Sequence, residues 1–252
     1  MDELIQKAAA VLVRSHAAVA LTGAGISVES GIPPFRGKGG LWEKFDPMTY
    51  AHIDAFEKNP ARVWEVLFLH MQQILKNAQP NDGHRGLSAL EHKGLLQTVI
   101  TQNVDGLHQK AGSRDVIEFH GTFAVQRCTH CRRTCDSSDL STDSLPPRCS
   151  CGGIWRPDVV MFGELIPYDS LQRSQSLAAS CDVMLVIGTS ATVEPAASLP
   201  FIAKHNGAHV IEINPEQTPL TQRISDTALL GKAGETMRRL VAAVESIRPP
   251  TS

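Results

Sequence analysis

The sequence predicts an α/β fold, a parallel sheet with a smaller lobe inserted into it, and three observations carry that expectation. Short apolar runs recur along the chain, each ending in polar residues. The first runs straight into a glycine turn, Thr22-Gly23-Ala24-Gly25-Ile26-Ser27. Five cysteines crowd into residues 128–151, four of them as Cys128-x-x-Cys131 and Cys149-x-Cys151, inside a stretch of loop composition.

The runs are Ala17–Leu21, Thr98–Thr101, Val116–Phe119, Val183–Ile187 and Val210–Ile213. Their short length and continuous apolar character suit strands buried on both faces. They deliver Gln102-Asn103-Val104-Asp105, His120-Gly121, Gly188-Thr189-Ser190 and Asn214-Pro215. In an open parallel sheet ligands sit at the carboxyl ends of the strands, so these clusters should converge with the glycine turn on one crevice. A strand, a glycine turn and then a helix can cradle a phosphate, because glycine lets the backbone approach it and the helix start offers free N–H groups. The usual dinucleotide fingerprint would place a third glycine where Val28 stands, so a plain tight turn is the competing reading of this fragment alone. The stiff loop Ser30–Gly37, with Phe35 near its tip, follows at once and could fold over a ligand.

Residues 4–14 and 234–247 read as amphipathic helices, and residues 248–252 as a frayed tail. Residues 38–84 are too apolar for a linker. They carry Trp42, Phe45, Tyr50, Phe56, Trp64 and Phe68, with helical spacing over Ala61–Leu75, and should form a helical lobe. Residues 125–156 cannot build a core of their own. Cys128-x-x-Cys131 and Cys149-x-Cys151 are expected to hold a structural zinc there, four soft ligands leaving no open coordination position. The second pair is one residue tighter than the usual knuckle, and Cys135 stands close enough to compete as a ligand. Unrelated buried thiols or a disulfide pair are the alternatives. A disulfide is disfavoured because the chain begins Met1-Asp2-Glu3 without a secretory pattern.

At 252 residues and 42% hydrophobic the chain can bury a full core. Net charge is −2, so there is no overall basic field for nucleic acid or an anionic membrane. No apolar run approaches the ~20 residues of a membrane span. A cytoplasmic protein is expected, with neither a nucleic acid nor a membrane as direct partner.

In order along the chain, Thr22–Ser27, Gly31-Ile-Pro-Pro-Phe-Arg36, Thr101-Gln-Asn-Val-Asp105, Phe119-His-Gly121, the cysteine pairs, Arg156-Pro-Asp-Val-Val160 with Phe162-Gly163-Glu164, Gly188-Thr-Ser190 and Ile213-Asn-Pro215 resemble the sirtuins, NAD-dependent protein-lysine deacylases. The resemblance runs almost end to end. It implies a Rossmann-type NAD-binding domain over 1–37, 85–124 and 157–252. The small lobe is then the helical insert 38–84 plus the zinc ribbon 125–156, with Cys128, Cys131, Cys149 and Cys151 as ligands.

The resemblance further implies that NAD lays its pyrophosphate on Gly23, Ala24, Gly25 and Ser27, and its adenosine near Gly188, Thr189, Ser190, Asn214, Pro215 and Ala233. Nicotinamide would lie beside Ile32, Asn103 and Asp105, with Phe35 as a shelter from water. Arg36, Gln102 and Asn103 would orient the riboses. His120 would be the general base, a role suited to a group that titrates near neutrality. The acyl-lysine protein or peptide would add as a strand between Val160–Glu164, including Phe162 and Gly163, and residues 190–195. Free lysine, nicotinamide and 2′-O-acyl-ADP-ribose would result. Mono-ADP-ribosyl transfer keeps the same residues and stays open; a non-catalytic NAD-sensing module is disfavoured by the intact His120 and Asn103.

Desuccinylating sirtuins carry Tyr-x-x-Arg on the small-lobe helix, where the guanidinium pairs with the acyl carboxylate. Leu67 and His70 stand at the matching positions here. They are expected to line a pocket for neutral acyl chains, acetyl and longer; plain core-facing helix residues are the alternative. The sequence reveals neither the target protein nor the oligomeric state, for which a monomer is the expectation.

Overall fold

The computed structural model describes residues 1–37 and 39–247; the expected frayed tail lies outside the described residues. Nine strands follow in chain order among them: β1 (Ala18–Thr22), β2 (Thr98–Thr101), β3 (Val116–Glu118), β4 (Gly121–Cys128), β5 (Thr134–Asp136), β6 (Trp155–Val159), β7 (Val183–Ile187), β8 (His209–Asn214) and β9 (Thr227–Leu230). Six of them form a sheet in the order β3-β2-β1-β7-β8-β9. Every neighbouring pair in it is parallel.

Side chains alternate across this sheet with the period of two that a strand imposes. Ala18 and Ala20 of β1 join Val183, Leu185 and Ile187 of β7 in one core, under helices Asp2–Arg14, Asp82–His92 and Ala233–Ile247. Val19 and Leu21 join Met184 and Val186 in the other, under helices Tyr168–Ser180 and Leu199–His205. Because both faces are covered, the strand interiors are mostly apolar, which is why they were legible as continuous runs.

The strand order reverses between β1 and β7. At such a point the connections leave in opposite directions, and a crevice opens beyond the carboxyl ends of the two strands. Register puts Thr22 beside Ile187, so the glycine turn and Gly188 leave the sheet side by side. Gly23 N donates to Ile187 O at 3.0 Å and Gly25 N to Gly188 O at 2.8 Å. A Cβ on Gly25 would sit 2.6 Å from Gly188 Cα, and one on Gly188, whose φ is +62°, would sit 2.3 Å from Ile26 N. The turn does not lead into an α-helix. Ala24–Ser30 is a seven-residue 3₁₀ helix, ended by Gly31 and followed by Pro33-Pro34, which have no N–H with which to continue it.

The small lobe has two parts. Helices between Leu41 and Asn77 form one, and the antiparallel sheet β5-β4-β6 the other. Helix Pro60–Val63 continues through a π turn at Trp64–Phe68 into Leu69–Asn77. Trp64 Nε1 donates to the main-chain oxygen of Trp155 at 2.8 Å and so joins the two parts. The ribbon reaches beyond the loop-like stretch 125–156: β4 begins at Gly121 and pairs it with Val159 of β6. Its strands mix buried and exposed residues, which blurs its limits in composition. The short β9 also has no distinct sequence signature.

Gly188→Ala should destabilise the protein by about 2–5 kcal/mol, from left-handed strain together with a backbone clash. Urea unfolding measures this, and a change within about 0.5 kcal/mol would contradict the close approach.

Candidate active site and metal centre

A cleft of about 1300 Å³ opens between the sheet and the small lobe. Gly23, Ala24 and Gly25 line it together with Gly188, Thr189, Ser190, Asn214, Pro215, Ala233, Phe35, Arg36, Gln102, Asn103 and His120. Val160, Phe162, Gly163 and Glu164 line it as well. Residues from the ends of all six strands of the parallel sheet, and from the small lobe, therefore meet at one space.

His120 follows β3. Its Nδ1 lies 3.0 Å from the carbonyl oxygen of Gln102. A carbonyl only accepts, so Nδ1 carries the proton and Nε2 keeps its lone pair. Burial lowers the His120 pKa below its ordinary value, although the Gln102 contact pulls the other way. Gln102 is itself held by Thr189 Oγ1, to which its Nε2 donates at 3.0 Å. The backbone turns sharply after His120. Gly121 has φ +75°, and a Cβ there would sit 2.0 Å from Asp158 O.

Asn103 Nδ2 donates to Gly23 O at 3.2 Å and to Ser27 Oγ at 3.1 Å. Its Oδ1 is buried without a protein partner, an acceptor left free beside the glycine turn. Ser27 Oγ donates to Asp105 at 2.7 Å. Burial raises the Asp105 pKa, while the Leu107 N–H and the Ser27 hydroxyl oppose the rise. Ser27, Asp105 and Ile32 stand behind the cleft wall rather than lining it: Ser27 is fully buried, and Ile32 packs with Ala78 and Leu107.

Two histidines that sequence patterns did not single out complete this wall. His84 Nε2 is 3.3 Å from Ser27 Oγ, His108 Nε2 is 3.0 Å from Thr22 Oγ1, and their rings lie 4.9 Å apart. Thr22 bonds Thr101, which in turn accepts the Asn103 N–H. Burial pushes His84 down to about 4 and His108 to about 3. Lone histidines carry no motif, and only the fold brings these together.

Deeper under the small lobe the cleft is apolar, lined by Leu41, Trp42, Leu67, Phe68, Met71, Val104, Phe123 and Met161. Phe35 stacks on Trp42 with ring centroids 5.3 Å apart. Leu67 reaches this pocket. His70 does not line it and packs on Phe45 instead. At about 100° per residue, Met71 falls between Leu67 and Phe68 around the helix, and His70 falls on the far side of Leu67. Glu164 holds Arg156 through two contacts, of 2.7 and 2.9 Å, and accepts Met161 N–H. That fixes the loop which crosses the cleft mouth.

In the ribbon, Cys128 Sγ is 3.5 Å from Cys151 Sγ, and Cys131 Sγ is 3.8 Å from Cys149 Sγ. All four sulfurs lie within 4.8 Å of one another. A tetrahedral zinc with bonds of about 2.3 Å needs its sulfurs about 3.8 Å apart. The donor set therefore fits zinc. Burial raises the Cys128 thiol, but the N–H groups of Cys131 and His130 and the adjacent sulfurs bring it down to about 6, whereas the Arg133 N–H does not offset the neighbouring sulfurs that push Cys131 up to about 11. Cys135, on β5, is outside the cluster.

Comparison with known proteins agrees with this geometry. Residues 23–195 match the model of the Sir2 family. The NAD-dependent protein deacylase 1 of Archaeoglobus fulgidus is 49% identical over 245 residues, 97% of this chain and 98% of that protein. The crystal structure of a Sir2 homologue in complex with NAD superposes with a TM-score of 0.89 at 48% identity, covering 96% of this chain and 94% of that one. Sir2Af2 bound to a myristoylated histone peptide superposes at 0.82 with 38% identity, covering 98% and 99%. The chain belongs to the Sir2 family of NAD-dependent protein deacylases. Among the described residues no helix is long and apolar enough to cross a membrane.

Purified protein should contain one zinc per chain. Cys128→Ala should lose it and Cys135→Ala should keep it, as metal analysis would establish; a zinc-free, active wild type would contradict the site. A second expectation concerns acid. His84 and His108 have folded pKa values below the unfolded 6.5, so the unfolded chain binds more protons once the pH falls below that value. Stability should then fall on acidification toward pH 4, at up to about 2.7 kcal/mol per pH unit for the two together. Urea unfolding between pH 7 and 5 that shows no decline would contradict their burial as neutral rings.

Proposed function

We propose that this protein removes acyl groups from lysine side chains of protein or peptide substrates, with NAD as the acceptor, and that it prefers acetyl and longer apolar acyl chains. The observation that carries this reading is one cleft joining three things: a glycine cradle at the strand-order reversal, an unprotonated Nε2 on His120, and an apolar pocket under the small lobe. The free Oδ1 of Asn103 and the bare backbone of the turn suit a dinucleotide.

When bound, NAD supplies the ribose that accepts the acyl group as nicotinamide leaves. The Ala24 N–H and the side-chain-free backbone of Gly23 and Gly25 would hold the pyrophosphate, while the Gly23, Gly25 and Ile26 N–H groups shape the turn by donating to Ile187, Gly188 and Gly23 carbonyls. Gly188, Thr189, Ser190, Asn214, Pro215 and Ala233 hold the adenosine half. Asn103 offers its amide oxygen toward the nicotinamide side, and Asp105 keeps Ser27 in place behind it. Phe35, braced by Trp42, excludes water from the reacting carbon. His120 Nε2 takes the proton from a ribose hydroxyl, and the Gln102 carbonyl fixes the ring so that this nitrogen faces inward. The substrate backbone runs between Val160–Glu164 and residues 190–195, and its acyl chain enters the pocket of Leu67, Phe68 and Met71. The relative that holds a myristoylated histone peptide supports a pocket able to take a long chain.

His120→Ala should lower kcat by about 10²–10⁴-fold and leave NAD binding in place. The acidic limb of wild-type turnover should lie below pH 6.5, since a base with a lowered pKa stays unprotonated there. Retained turnover by the variant would remove His120 from the mechanism.

Arg36 and Lys232 are the only Lys or Arg side chains among the described residues lining the cleft, and neither belongs to the apolar pocket. A succinyl carboxylate would be stripped of water there without a partner. In competition on one peptide sequence, acetyl- and octanoyl-lysine should react at least about tenfold faster than succinyl-lysine. A preference for succinyl would contradict the pocket.

A further inference from the structure

A second space, of about 1000 Å³, is divided from the cleft by the loop at the cleft mouth. Val159, Val160, Glu164 and Leu165 line both, so the segment assigned to pair with the substrate is the wall between them. Leu165, 92% exposed, stands where the two spaces join.

Val116, Ile117 and Glu118, the whole of β3, line the second space. Successive residues of a strand point to opposite faces of a sheet, so a cavity that meets all three meets the strand edge-on. β3 ends the six-stranded sheet, and its outer side carries no strand. Val99 N donates to Asp115 O and Phe119 N to Thr101 O, both at 2.9 Å. Alternate residues of a parallel strand serve one neighbour, so Asp115, Ile117 and Phe119 are turned to β2, and Val116 and Glu118 turn their main-chain groups outward. An open edge of this kind takes an extended segment as one more strand.

Charge decides what that segment carries. Asp158 holds Arg127 at 2.7 Å, Glu164 holds Arg156 at 2.7 Å, and Asp115 holds Arg173. Three carboxylates on the walls are in no ion pair among the described residues: Glu118, Glu57 on helix Ile53–Lys58 and Asp169 on helix Tyr168–Ser180. Arg132 is the one lining cation without a carboxylate among them. Burial raises the Glu118 pKa, Thr122 and Gln109 oppose the rise, and Asp105 and Asp158 add to it, so an incoming cation would relieve this carboxylate.

We propose that this groove is an exosite for the protein substrate: a basic, extended stretch of the chain that carries the acyl-lysine adds to the edge of β3 and sets its Lys or Arg side chains against Glu57, Glu118 and Asp169. The inference rests on the acyl-lysine reading above, since the groove adjoins the cleft across the substrate loop. Attachment at two places on one chain raises the local concentration of the acyl-lysine and leaves the chemistry unchanged. In sequence the three acids lie on separate segments, and nothing marks Val116–Glu118 as an edge.

The test uses acetyl-lysine peptides with one neutral core, extended at either end through a Gly-Ser linker by alternating Val and Arg, by alternating Val and Glu, or by Gly and Ser alone. At saturating NAD, the Arg tail at one of the two ends should lower KM at least about fivefold relative to the Gly-Ser tail, with kcat unchanged, and added salt should shrink the advantage. The Glu tail should gain nothing. Glu57→Lys with Asp169→Lys reverses two exposed charges and should abolish the advantage, while the Gly-Ser peptide turns over as before. Glu118→Gln keeps the side-chain shape, should at least halve the advantage, and serves if the double variant does not fold. Hydrogen exchange separates a seated strand from loose attraction: the Val116 and Glu118 amides should slow with the Arg-tailed peptide and not with the Gly-Ser one. Equal KM for the three tails, an advantage that survives in the folded variants, or edge amides left unprotected overturns the exosite and leaves deacylation standing. Protected edge amides without turnover of any peptide would instead overturn the deacylase reading.

Discussion

Where β1 and β7 end, Gly25 and Gly188 meet backbone to backbone, with the Gly25 amide 2.8 Å from the Gly188 carbonyl and no side chain between them. That contact closes the reversal point of the sheet and leaves the free face of the turn toward the cleft. From it the other parts take their places. Asn103 leans on Gly23 O, Gln102 on Thr189, and Asn214 on Thr189 O. A side chain at either glycine would push the two loops apart and carry these partners with them.

The acid–base and recognition groups are then set by hydrogen bonds that leave one atom over. His120 gives its Nδ1 proton to Gln102 and keeps Nε2. Asn103 and Asn214 spend their amide nitrogens on protein oxygens and keep Oδ1. Each side chain is oriented by what it cannot do twice, and one polar atom of each is left over. The zinc ribbon contributes at a distance. Its β6 carries the Trp155 carbonyl that anchors Trp64, at the start of the π turn whose next residues wall the apolar pocket.

Much of the sheet was legible in sequence because doubly covered strands are short apolar runs, and because each run stopped at polar residues that belong to the cleft. The cysteine spacing was legible for a chemical reason, since four thiols near one another suit one metal. The rest depended on tertiary contact. The apolar pocket draws on separate segments around residues 41, 67, 104, 123 and 161, and no local periodicity joins them. Leu67 lines the cleft, whereas His70 shares its helix but not its face. The 3₁₀ helix after the glycine turn was hidden because composition alone does not separate a short 3₁₀ segment from the first turns of an α-helix. His84 and His108 were invisible as a pair until Asp82–His92 and Leu107–Lys110 brought their rings together.

A preformed cradle is the claim on which the chemistry stands, and amide hydrogen exchange of the unliganded protein tests it most directly. The Gly25 and Ile26 amides donate to Gly188 O and Gly23 O within the turn, so they should exchange as slowly as amides in β1 and β7, with protection near that of global unfolding. Fast exchange at both positions, slowed only when NAD is added, would show that the ligand builds the cradle and contradict its assembly by the fold.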